Sequence, residues 1–407
     1  MLYDERLPYP GHYAVVPVLG SALVIAAWGQ SVVLGNRLAQ ILGDTSYSFY
    51  LWHWPFIVGA RVLEIAFTPA VMVALALLSF GAAMLSHRLV EKPFRTRGTA
   101  LRGGAYLVRA VAVVAALGGV AAVVYQTRGV PARVPPLAAR NDAVSADFVW
   151  SDVCGKSLVC AVGPQTPKKV LFWGDSHVEQ LFPAAQLLVE QGKNHGKQPL
   201  FHAQSACIPV RGFGGGGASA RCPSLNAAAH ARALADDIDS VVIASIWTPY
   251  FREVLYDPAT RPTLCHAEGK RCAPLPALED AVALVRAQMV RDLGELTARG
   301  KRVTLVAPVP IFDRDVAQHL AERGWRGHRV ELSLPRAQHE ALVAPITAML
   351  REVAATIGAS LLDPADVLCA SGSCLFARDG VSIYRDNSHL AAAAARMLAP
   401  ALGAAFL

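Results

Sequence analysis

Long apolar runs dominate the first third of the chain. They cover about residues 13–28, 47–65, 69–85 and 105–125. The fourth run is apolar over about 20 residues, which is the length that crosses a hydrocarbon core of about 30 Å. The first and third runs are shorter, so they are expected to cross only as members of a helix bundle. The pattern predicts about four transmembrane helices within residues 1–128.

The pattern changes after residue 165, where short apolar runs alternate with longer amphipathic segments. Predicted strands lie at residues 170–173, 199–203, 240–245, 302–307 and 360–363, and predicted helices lie at residues 178–191, 222–236, 278–299, 334–357 and 389–405. This alternation predicts an α/β domain over residues 166–407, with a parallel sheet and helices on both faces. Residues 129–165 contain Pro131, Pro135 and Pro136 near their start and predict a linker or an excursion packed on the domain.

Basic residues between the third and fourth apolar runs set the predicted orientation. Arg88, Lys92, Arg95, Arg97 and Arg102 stand in this loop. The positive-inside rule makes it cytoplasmic, so everything after the fourth run is expected outside the cytoplasm. The same count puts the N-terminus outside. Residues 1–11 lack signal-peptide character, so the segment is expected to have been cut from something longer.

Composition and charge agree with a membrane-associated chain. The chain is 53% hydrophobic and 17% charged, whereas soluble domains carry about 25% charged residues. The formal net charge is +7, but the basic residues are scattered and form no dense stripe. We therefore expect contact with membrane lipid and no nucleic-acid partner.

The cysteines are confined to the second part of the chain. The eight residues form four close couples, Cys154 and Cys160, Cys207 and Cys222, Cys265 and Cys272, and Cys369 and Cys374. An even number on one side of a membrane segment predicts local disulfides in an oxidising compartment; the alternative is unpaired buried thiols. The spacings are not those of a metal site, so no metal is predicted.

Ser176 is the candidate nucleophile. It follows Trp173, Gly174 and Asp175 in a turn between a predicted buried strand and a helix. A serine hydroxyl needs a neighbouring base to become reactive, and a helix N-terminus offers backbone N–H groups to a developing oxyanion. The same position also suits a simple helix N-cap. Asp175 is interpreted as a structural turn residue.

Asp386 and His389 supply the missing base and its orienting group. They stand three residues apart just before the last predicted helix. His389 would take the Ser176 proton, and Asp386 would hold the imidazole and stabilise its charged form. The alternative is Asp386 as an N-cap beside an exposed histidine. The occurrence of both blocks on one α/β pattern favours a triad, and the adjacent His177 is not assigned as the base.

These blocks resemble the SGNH hydrolase family and, within it, the SGNH domain fused to type-3 integral-membrane acyltransferases. The similar blocks are residues 170–177, Cys207 and Cys222, Ile246 and Trp247, and Cys369, Cys374, Gly380, Tyr384, Asp386 and His389. The resemblance implies a flavodoxin-like SGNH fold over about residues 150–407. It also implies a Ser176–His389–Asp386 triad.

The oxyanion hole of this family is harder to identify here. The backbone N–H of Ser176 is one expected donor, but the usual G-x-N-D block is absent after the strand at residues 240–245. Asn226 is the substitute candidate, because a side-chain amide is a common oxyanion donor; the alternative is a surface helix residue. Trp247 is a candidate wall of the acyl or sugar pocket, and the alternative is a core tryptophan capped by a hydrogen bond.

Two segments of the membrane part resemble the C-terminal helices of the type-3 acyltransferases. They are residues 43–55 and 90–95. The earlier helices, which carry the family's catalytic histidine and arginine motifs, have no counterpart here, so they are expected on another chain if they act with this one. His53, in the run Tyr50-Leu51-Trp52-His53-Trp54-Pro55, is a candidate for a substrate path; the alternative is an interfacial aromatic belt.

The resemblance implies transfer of an acyl group, expected to be acetyl, to a cell-surface glycan such as lipopolysaccharide O-antigen or peptidoglycan. No bound cofactor is expected, and the donor would be acetyl-CoA or an acetyl group relayed through the membrane. The expected location is a bacterial inner membrane with the SGNH domain on the periplasmic or extracellular side. Two alternatives stay open: an extracytoplasmic carbohydrate esterase or deacetylase, and an inactive membrane-tethered glycan-binding domain.

Overall fold

The structure is a computed structural model. It describes residues 14–26, 35–63, 65–92, 104–127, 129, 131–155, 157–214, 221–251, 265–268, 271–274, 278–328, 330 and 332–407, without the side chains of residues 104–107, 109–110, 131, 151, 265–268, 271–274 and 278. The chain divides into two compact units, Met1–Gly129 and Val130–Leu407.

The first unit is helical. Its helices are α1 (Val15–Ala26), α2 (Arg37–Val62), α3 (Pro69–Ser86, continued by a π-helical turn at His87–Glu91) and α4 (Gly104–Gln126). Helices α2 and α3 pack against each other. Ser48 of α2 donates a hydrogen bond to the Glu91 carboxylate, which also contacts His87 Nδ1 at 3.1 Å. Apart from such contacts, most apolar side chains described on these helices are exposed.

One helical segment of the described residues is long and apolar enough to cross a membrane. It is Pro69–Glu91, 23 residues, and its most apolar stretch of 18 residues has a mean hydropathy of 2.0 and is 11% buried. At 1.5 Å per residue it extends over about 35 Å, longer than a hydrocarbon core. Val15–Ala26 and Val111–Gln126 are apolar but shorter. The remaining membrane crossings stay predictions.

The second unit is built on a six-stranded sheet with the strand order β1-β3-β2-β5-β8-β9. Its strands are β1 (Val159–Ala161), β2 (Lys169–Gly174), β3 (Gln198–Ala203), β5 (Ile238–Ala244), β8 (Arg302–Val306) and β9 (Ser360–Leu362). A small three-stranded sheet contains β4 (Phe213–Gly214), β6 (Cys265–Glu268) and β7 (Arg271–Pro274). A two-stranded hairpin contains β10 (Ala377–Arg378) and β11 (Val381–Ser382). Strand β1 is antiparallel to β3, and the other neighbours in the large sheet are parallel.

The helices of the second unit follow the strands in alternation. They are α5 (Pro136–Val144), α6 (Val149–Cys154), α7 (Ser176–Glu179), α8 (Phe182–Glu190), α9 (Cys222–Ala233), α10 (Thr248–Phe251), α11 (Leu278–Ala298), α12 (Val316–Trp325), α13 (Arg336–Ile357), α14 (Ala365–Leu368), α15 (Ala392–Met397) and α16 (Ala399–Leu402). The mixed α/β architecture agrees with the alternation in the sequence.

The core lies on both faces of the sheet, as the side chains of β2 illustrate. Val170 and Phe172 point into one apolar cluster, and Leu171 and Trp173 point into the other. Successive strand residues face opposite sides, so a continuous apolar run is buried only when both faces are covered. Phe172 stacks on Phe201 of β3 with 4.4 Å between ring centroids. These contacts fix the strand that ends at Gly174.

The segment 129–165, predicted as a linker or an excursion packed on the domain, contains α5, α6 and the edge strand β1, which completes its hydrogen bonds on β3. Two elements differ from the sequence expectations. The helix predicted over residues 178–191 is divided into α7 and α8, since Pro183 stands in the first turn of α8, where proline is favoured. Helix α12 was not predicted; the Asp315 side chain caps it by accepting from Gln318 N at 2.8 Å.

Three of the cysteine couples are joined by disulfides. They are Cys154–Cys160, Cys207–Cys222 and Cys369–Cys374. Cys265 and Cys272 belong to the β6–β7 hairpin, but their side chains lie outside the described residues, so their pairing stays a prediction.

Candidate active site

The turn that carries the candidate nucleophile Ser176 connects β2 to α7. Gly174 is the last residue of β2, and a Cβ built there would lie 1.9 Å from the Ala244 carbonyl oxygen and 3.0 Å from Val178 Cβ. Only glycine fits this close approach of two backbones. Ser176 is the first residue of α7, where a backbone N–H has no intrahelical acceptor. The turn therefore presents both a hydroxyl and an N–H at the carboxyl edge of the sheet.

The structure brings Ser176, His389 and Asp386 together. His389 Nε2 lies 2.7 Å from Ser176 Oγ, and His389 Nδ1 lies 2.7 Å from Asp386 Oδ2. The carboxylate contact assigns the imidazole proton to Nδ1, which leaves Nε2 free to accept the serine proton. This array can move a proton from the hydroxyl to the imidazole while the carboxylate stabilises the resulting charge.

Asp386 is fixed by its own loop. Its Oδ1 accepts hydrogen bonds from the backbone N–H of Ser388 at 2.8 Å and of His389 at 2.7 Å. Burial raises the pKa of Asp386, but the His389 hydrogen bond and charge and these two N–H groups outweigh it and hold the pKa well below its ordinary value. The carboxylate therefore stays ionised wherever His389 acts as a base.

Contacts with other elements hold this loop in place. Val316 N, at the start of α12, donates to the Asp386 carbonyl at 3.2 Å. Leu390 N donates to the Gln180 side chain at 2.7 Å. Since Gln180 directly follows α7, this bond connects the nucleophile segment to the histidine loop. Gln180 was not singled out from the sequence, where nothing distinguishes it from a surface glutamine.

Asp175 is a buried acceptor rather than a second catalytic acid. Its carboxylate accepts from His177 N at 2.8 Å, Ser245 Oγ at 2.6 Å, Ile246 N at 3.1 Å and Tyr250 OH at 3.1 Å. Burial raises its pKa, and these hydrogen bonds oppose that change. Asp175 thus caps α7 and joins the turn to the loop after β5.

His177 is buried directly behind the histidine of the array. Its ring centroid lies 4.8 Å from that of His389, and only 2% of the residue is exposed. Burial and the charge of His389 lower its pKa well below the ordinary value, despite the opposing charge of Asp386. His177 is therefore neutral. Neither ring nitrogen has a hydrogen-bond partner among the described residues.

Glu179 is a second buried group that the sequence did not reveal. It is 5% exposed, and Ser205 Oγ lies 3.5 Å from its Oε1. Burial and the Asp175 carboxylate raise its pKa to about 7, against the charges of His389 and Arg385. Its spacing of three from Ser176 puts both residues on one side of α7. Helical spacing alone does not distinguish a buried glutamate from a solvated one.

Glu179 is expected to make the stability of the second unit depend on pH. The pKa of Glu179 is about 7 in the folded state and 4.5, the ordinary value, in the unfolded state. The folded state therefore keeps its full stability below pH 4.5, and it loses this contribution as pH rises through about 7. The loss amounts to up to about 3 kcal/mol. Glu179→Gln should remove it. Denaturant unfolding of the full chain at pH 5 and pH 8 measures the difference, with exposed Glu190→Gln as control. Equal pH dependence in wild type and Glu179→Gln would contradict this prediction.

The oxyanion prediction for Asn226 requires a correction. Asn226 is buried, its Nδ2 donates to the carbonyls of Ile208 at 2.7 Å and Val210 at 3.0 Å, and its Oδ1 accepts from Trp173 Nε1 at 3.1 Å. Both amide hydrogens are in use, so the amide is not available to an oxyanion. Asn226 instead ties α9 to β2 and to the loop after β3.

Trp247 also lies elsewhere than expected. It is fully buried, and its Nε1 donates to the Val306 carbonyl at 2.9 Å. A side chain without exposed surface cannot line a substrate pocket, so Trp247 is a core residue capped by a hydrogen bond. Trp247 is buried because it lies three residues after the end of β5, and apolar clusters cover both faces of that strand.

His53 lies in α2 and is half-buried. Its ring packs on Tyr50, with 5.5 Å between centroids, and on Phe49 at 6.3 Å. These contacts agree with an aromatic surface and leave its role a prediction. Among the described residues, no group of three or more histidine, cysteine or acidic side chains has the arrangement to hold a metal ion.

The fold and the site together define a class of protein. The mixed α/β unit holds a serine, a histidine and an aspartate, linked by successive hydrogen bonds, at the carboxyl edge of its sheet. Such an arrangement is typical of serine-dependent esterases and acyl transferases. The family model of the SGNH domain (fused to AT3 domains) matches residues 142–404. The chain belongs to this family.

Two further proteins are similar to this chain. The "Putative peptidoglycan O-acetyltransferase YrhL" of Bacillus subtilis (strain 168) is 33% identical over 103 residues, which are 23% of this chain and 16% of that protein. The chain thus matches less than a fifth of that relative's length. The periplasmic domain of a lipopolysaccharide acetyltransferase from Salmonella ser. Paratyphi A is 13% identical, with a TM-score of 0.46, over 64% of this chain and 95% of that domain.

Proposed function

We propose that the chain transfers acetyl groups to hydroxyl groups of a cell-surface glycan, with Ser176 as the nucleophile. The observation that carries the proposal is the hydrogen-bonded array Ser176–His389–Asp386, with 2.7 Å at each step, in a domain of a family named for its fusion to AT3 domains.

The first half-reaction would acylate the serine. His389 Nε2 takes the proton of Ser176 Oγ while the oxygen attacks the acetyl carbonyl carbon. The bond to the donor's leaving group breaks, and the leaving group receives the proton from His389. The Ser176 backbone N–H faces the developing oxyanion. The product is an acetyl ester on Ser176 and the free donor alcohol or thiol.

The second half-reaction would pass the acetyl group to the glycan. A sugar hydroxyl gives its proton to His389 Nε2, and its oxygen attacks the carbonyl carbon of the acetyl-serine. The ester bond to Ser176 breaks, and Ser176 Oγ regains the proton. Asp386, which stays ionised, stabilises the imidazolium in both halves. If water replaces the sugar, the same steps give an esterase.

The membrane part would serve the supply of acetyl groups. We propose that residues 1–128 contribute about four transmembrane helices, that the SGNH domain over residues 166–407 faces the periplasmic or extracellular side of a bacterial inner membrane, and that acetyl-CoA or a membrane-relayed acetyl group is the donor. Further acyltransferase helices would complete that supply, and His53 remains the candidate on the substrate path. The disulfides at Cys154–Cys160, Cys207–Cys222 and Cys369–Cys374 support an oxidising compartment.

The acceptor would be a polysaccharide of the cell envelope. The names of the two similar proteins point to peptidoglycan and to lipopolysaccharide. Both glycans present sugar hydroxyl groups, and the triad does not distinguish between them. The choice between them is left to the experiment.

The test supplies the purified full chain with a chromogenic acetyl ester, alone and with either soluble peptidoglycan strands or lipopolysaccharide O-polysaccharide. We expect release of the chromophore and appearance of acetylated glycan with one acceptor, measured by mass spectrometry. The chromogenic ester bypasses the membrane supply of acetyl groups. Chromophore release without acetylated glycan would overturn transfer in favour of hydrolysis, and no release at all would overturn both.

A further inference from the structure

A polar groove lies beside helix α13, away from the residues of the array. It has a volume of about 650 Å³ and is lined by one face of the helix and by the chain around the end of β9. Its lining residues on the helix recur at spacings of three and four, from Arg336 to Arg351, so they form a continuous stripe. The stripe extends over about 22 Å. Exposed alanines, among them Ala344, leave room in its middle.

Two buried polar atoms of the groove lining have no hydrogen-bond partner among the described residues. They are His339 Nδ1 and Thr347 Oγ1, on residues that are 1% and 5% exposed. A buried threonine in a helix ordinarily bonds to the carbonyl four residues back. Unpaired buried polar groups destabilise a fold, and each requires an explanation. Both atoms lie under the surface of the groove, so a ligand reaches them only if the side chains that cover them move.

The charges of the lining favour a neutral ligand rich in hydroxyl groups. Arg336 donates to Glu340 Oε1 and to Asp366 Oδ1, each at 2.7 Å, so its guanidinium offsets one of the two carboxylate charges. Asp363 and Arg351 complete the charged lining. An anion would meet three carboxylates, and a cation would meet two guanidinium groups. Sugar hydroxyls both donate and accept, and they match such a mixed lining.

One end of the groove, at Asp363, lies at the same edge of the sheet as Ser176. Strands β2, β5, β8 and β9 are parallel neighbours in that order. Gly174 pairs with Ala244, and Val306 pairs with Leu362, so the ends of β2 and β9 lie nearly level. Asp363, in the groove lining, directly follows Leu362. Three strand spacings separate the two ends, or about 14 Å, which a few linked sugar rings span.

We propose that this groove binds a sugar of the acceptor glycan several rings away from the one that is acetylated. The proposal rests on the proposed transfer of acetyl groups to a polysaccharide. It assigns Arg336, Glu340 and Asp366 to glycan binding. The groove makes the enzyme favour long glycan chains over single sugars.

Filling the groove tests the proposal. Ala344→Trp introduces an indole into the middle of the groove, and Ala341→Trp is the control, an exposed position on the same helix outside the lining. In the full chain, Ala344→Trp should raise the KM for the polysaccharide acceptor at least ~10-fold. It should leave turnover of the chromogenic acetyl ester without glycan unchanged. Ala341→Trp should change neither, and transfer to a single-sugar acceptor should be the same in all three proteins.

A binding measurement separates this proposal from the proposed function. The Ser176→Ala chain is titrated with peptidoglycan strands and with O-polysaccharide, with and without Ala344→Trp. Binding of one glycan that Ala344→Trp weakens supports the groove, even if acetyl transfer itself fails, and the glycan that binds identifies the source of the acceptor. Equal binding with and without the indole, or no binding of either glycan, would overturn the groove as a glycan subsite.

Discussion

Replacing Ser176 with alanine is expected to lower turnover of an acetyl ester and acetyl transfer by about 10³-fold or more. The change removes the only atom of the array that can form the ester, while His389 and Asp386 keep their mutual hydrogen bond. Residual activity would come from binding and from the backbone N–H at the turn. Initial rates with the chromogenic ester measure the loss, and trapping of an acetyl group on Ser176 by mass spectrometry identifies the intermediate.

Companion variants make the assignment specific. Asp386→Asn preserves the shape of the loop but removes the charge that stabilises the imidazolium, and a loss of up to about 10⁴-fold is expected. Ser224→Ala, at an exposed serine of α9, should keep full activity and is the matched control. Turnover that survives Ser176→Ala would refute the nucleophile, and turnover that survives Asp386→Asn would refute the role of the carboxylate.

Replacing Gly174 with alanine is expected to destabilise the second unit by about 3 kcal/mol or more. The added Cβ would lie 1.9 Å from the Ala244 carbonyl oxygen, and a backbone atom in a central strand cannot move away. Because Gly174 ends the strand that carries Ser176, any accommodation also displaces the nucleophile from His389. We expect a lower unfolding midpoint and, in the folded fraction, a lower rate of ester turnover.

Gly294→Ala is the matched control for this change. Gly294 lies inside helix α11, and a Cβ there would make an ordinary contact with Ile357 at 3.7 Å. Alanine should therefore stabilise the unit by up to about 1 kcal/mol, since a helix interior favours it over glycine. Unchanged stability of Gly174→Ala in the same denaturant titration would contradict the close approach of β2 and β5.

Local patterns in the sequence were sufficient to predict most strands of the large sheet. The five strands predicted from apolar runs correspond to β2, β3, β5, β8 and β9, within two residues at each end. Strand β1 was missed because it has only three residues, and it exists as a strand through its pairing with β3. The predicted last helix began too early, since residues before Ala392 form the loop that carries His389.

The members of the candidate site were predicted from residue types in short blocks of the sequence. Ser176, Asp386 and His389 stand in two such blocks, and the structure brings them within hydrogen-bond distance. Asn226 and Trp247 were chosen by type and position along the chain, and a sequence does not reveal which way a buried side chain points. The structure turns both into the core, where their polar atoms bond to main-chain and side-chain groups.

The sequence by itself determined the apolar runs, the strand and helix alternation and the residue types of the array, because side-chain periodicity and turn chemistry act over a few neighbouring residues. Only the tertiary structure brought Ser176 within 2.7 Å of His389, across 213 positions of the chain. It also buried Glu179 and His177 behind them and opened the groove beside α13. Burial and long-range contact depend on how whole elements pack, and no local pattern encodes that packing.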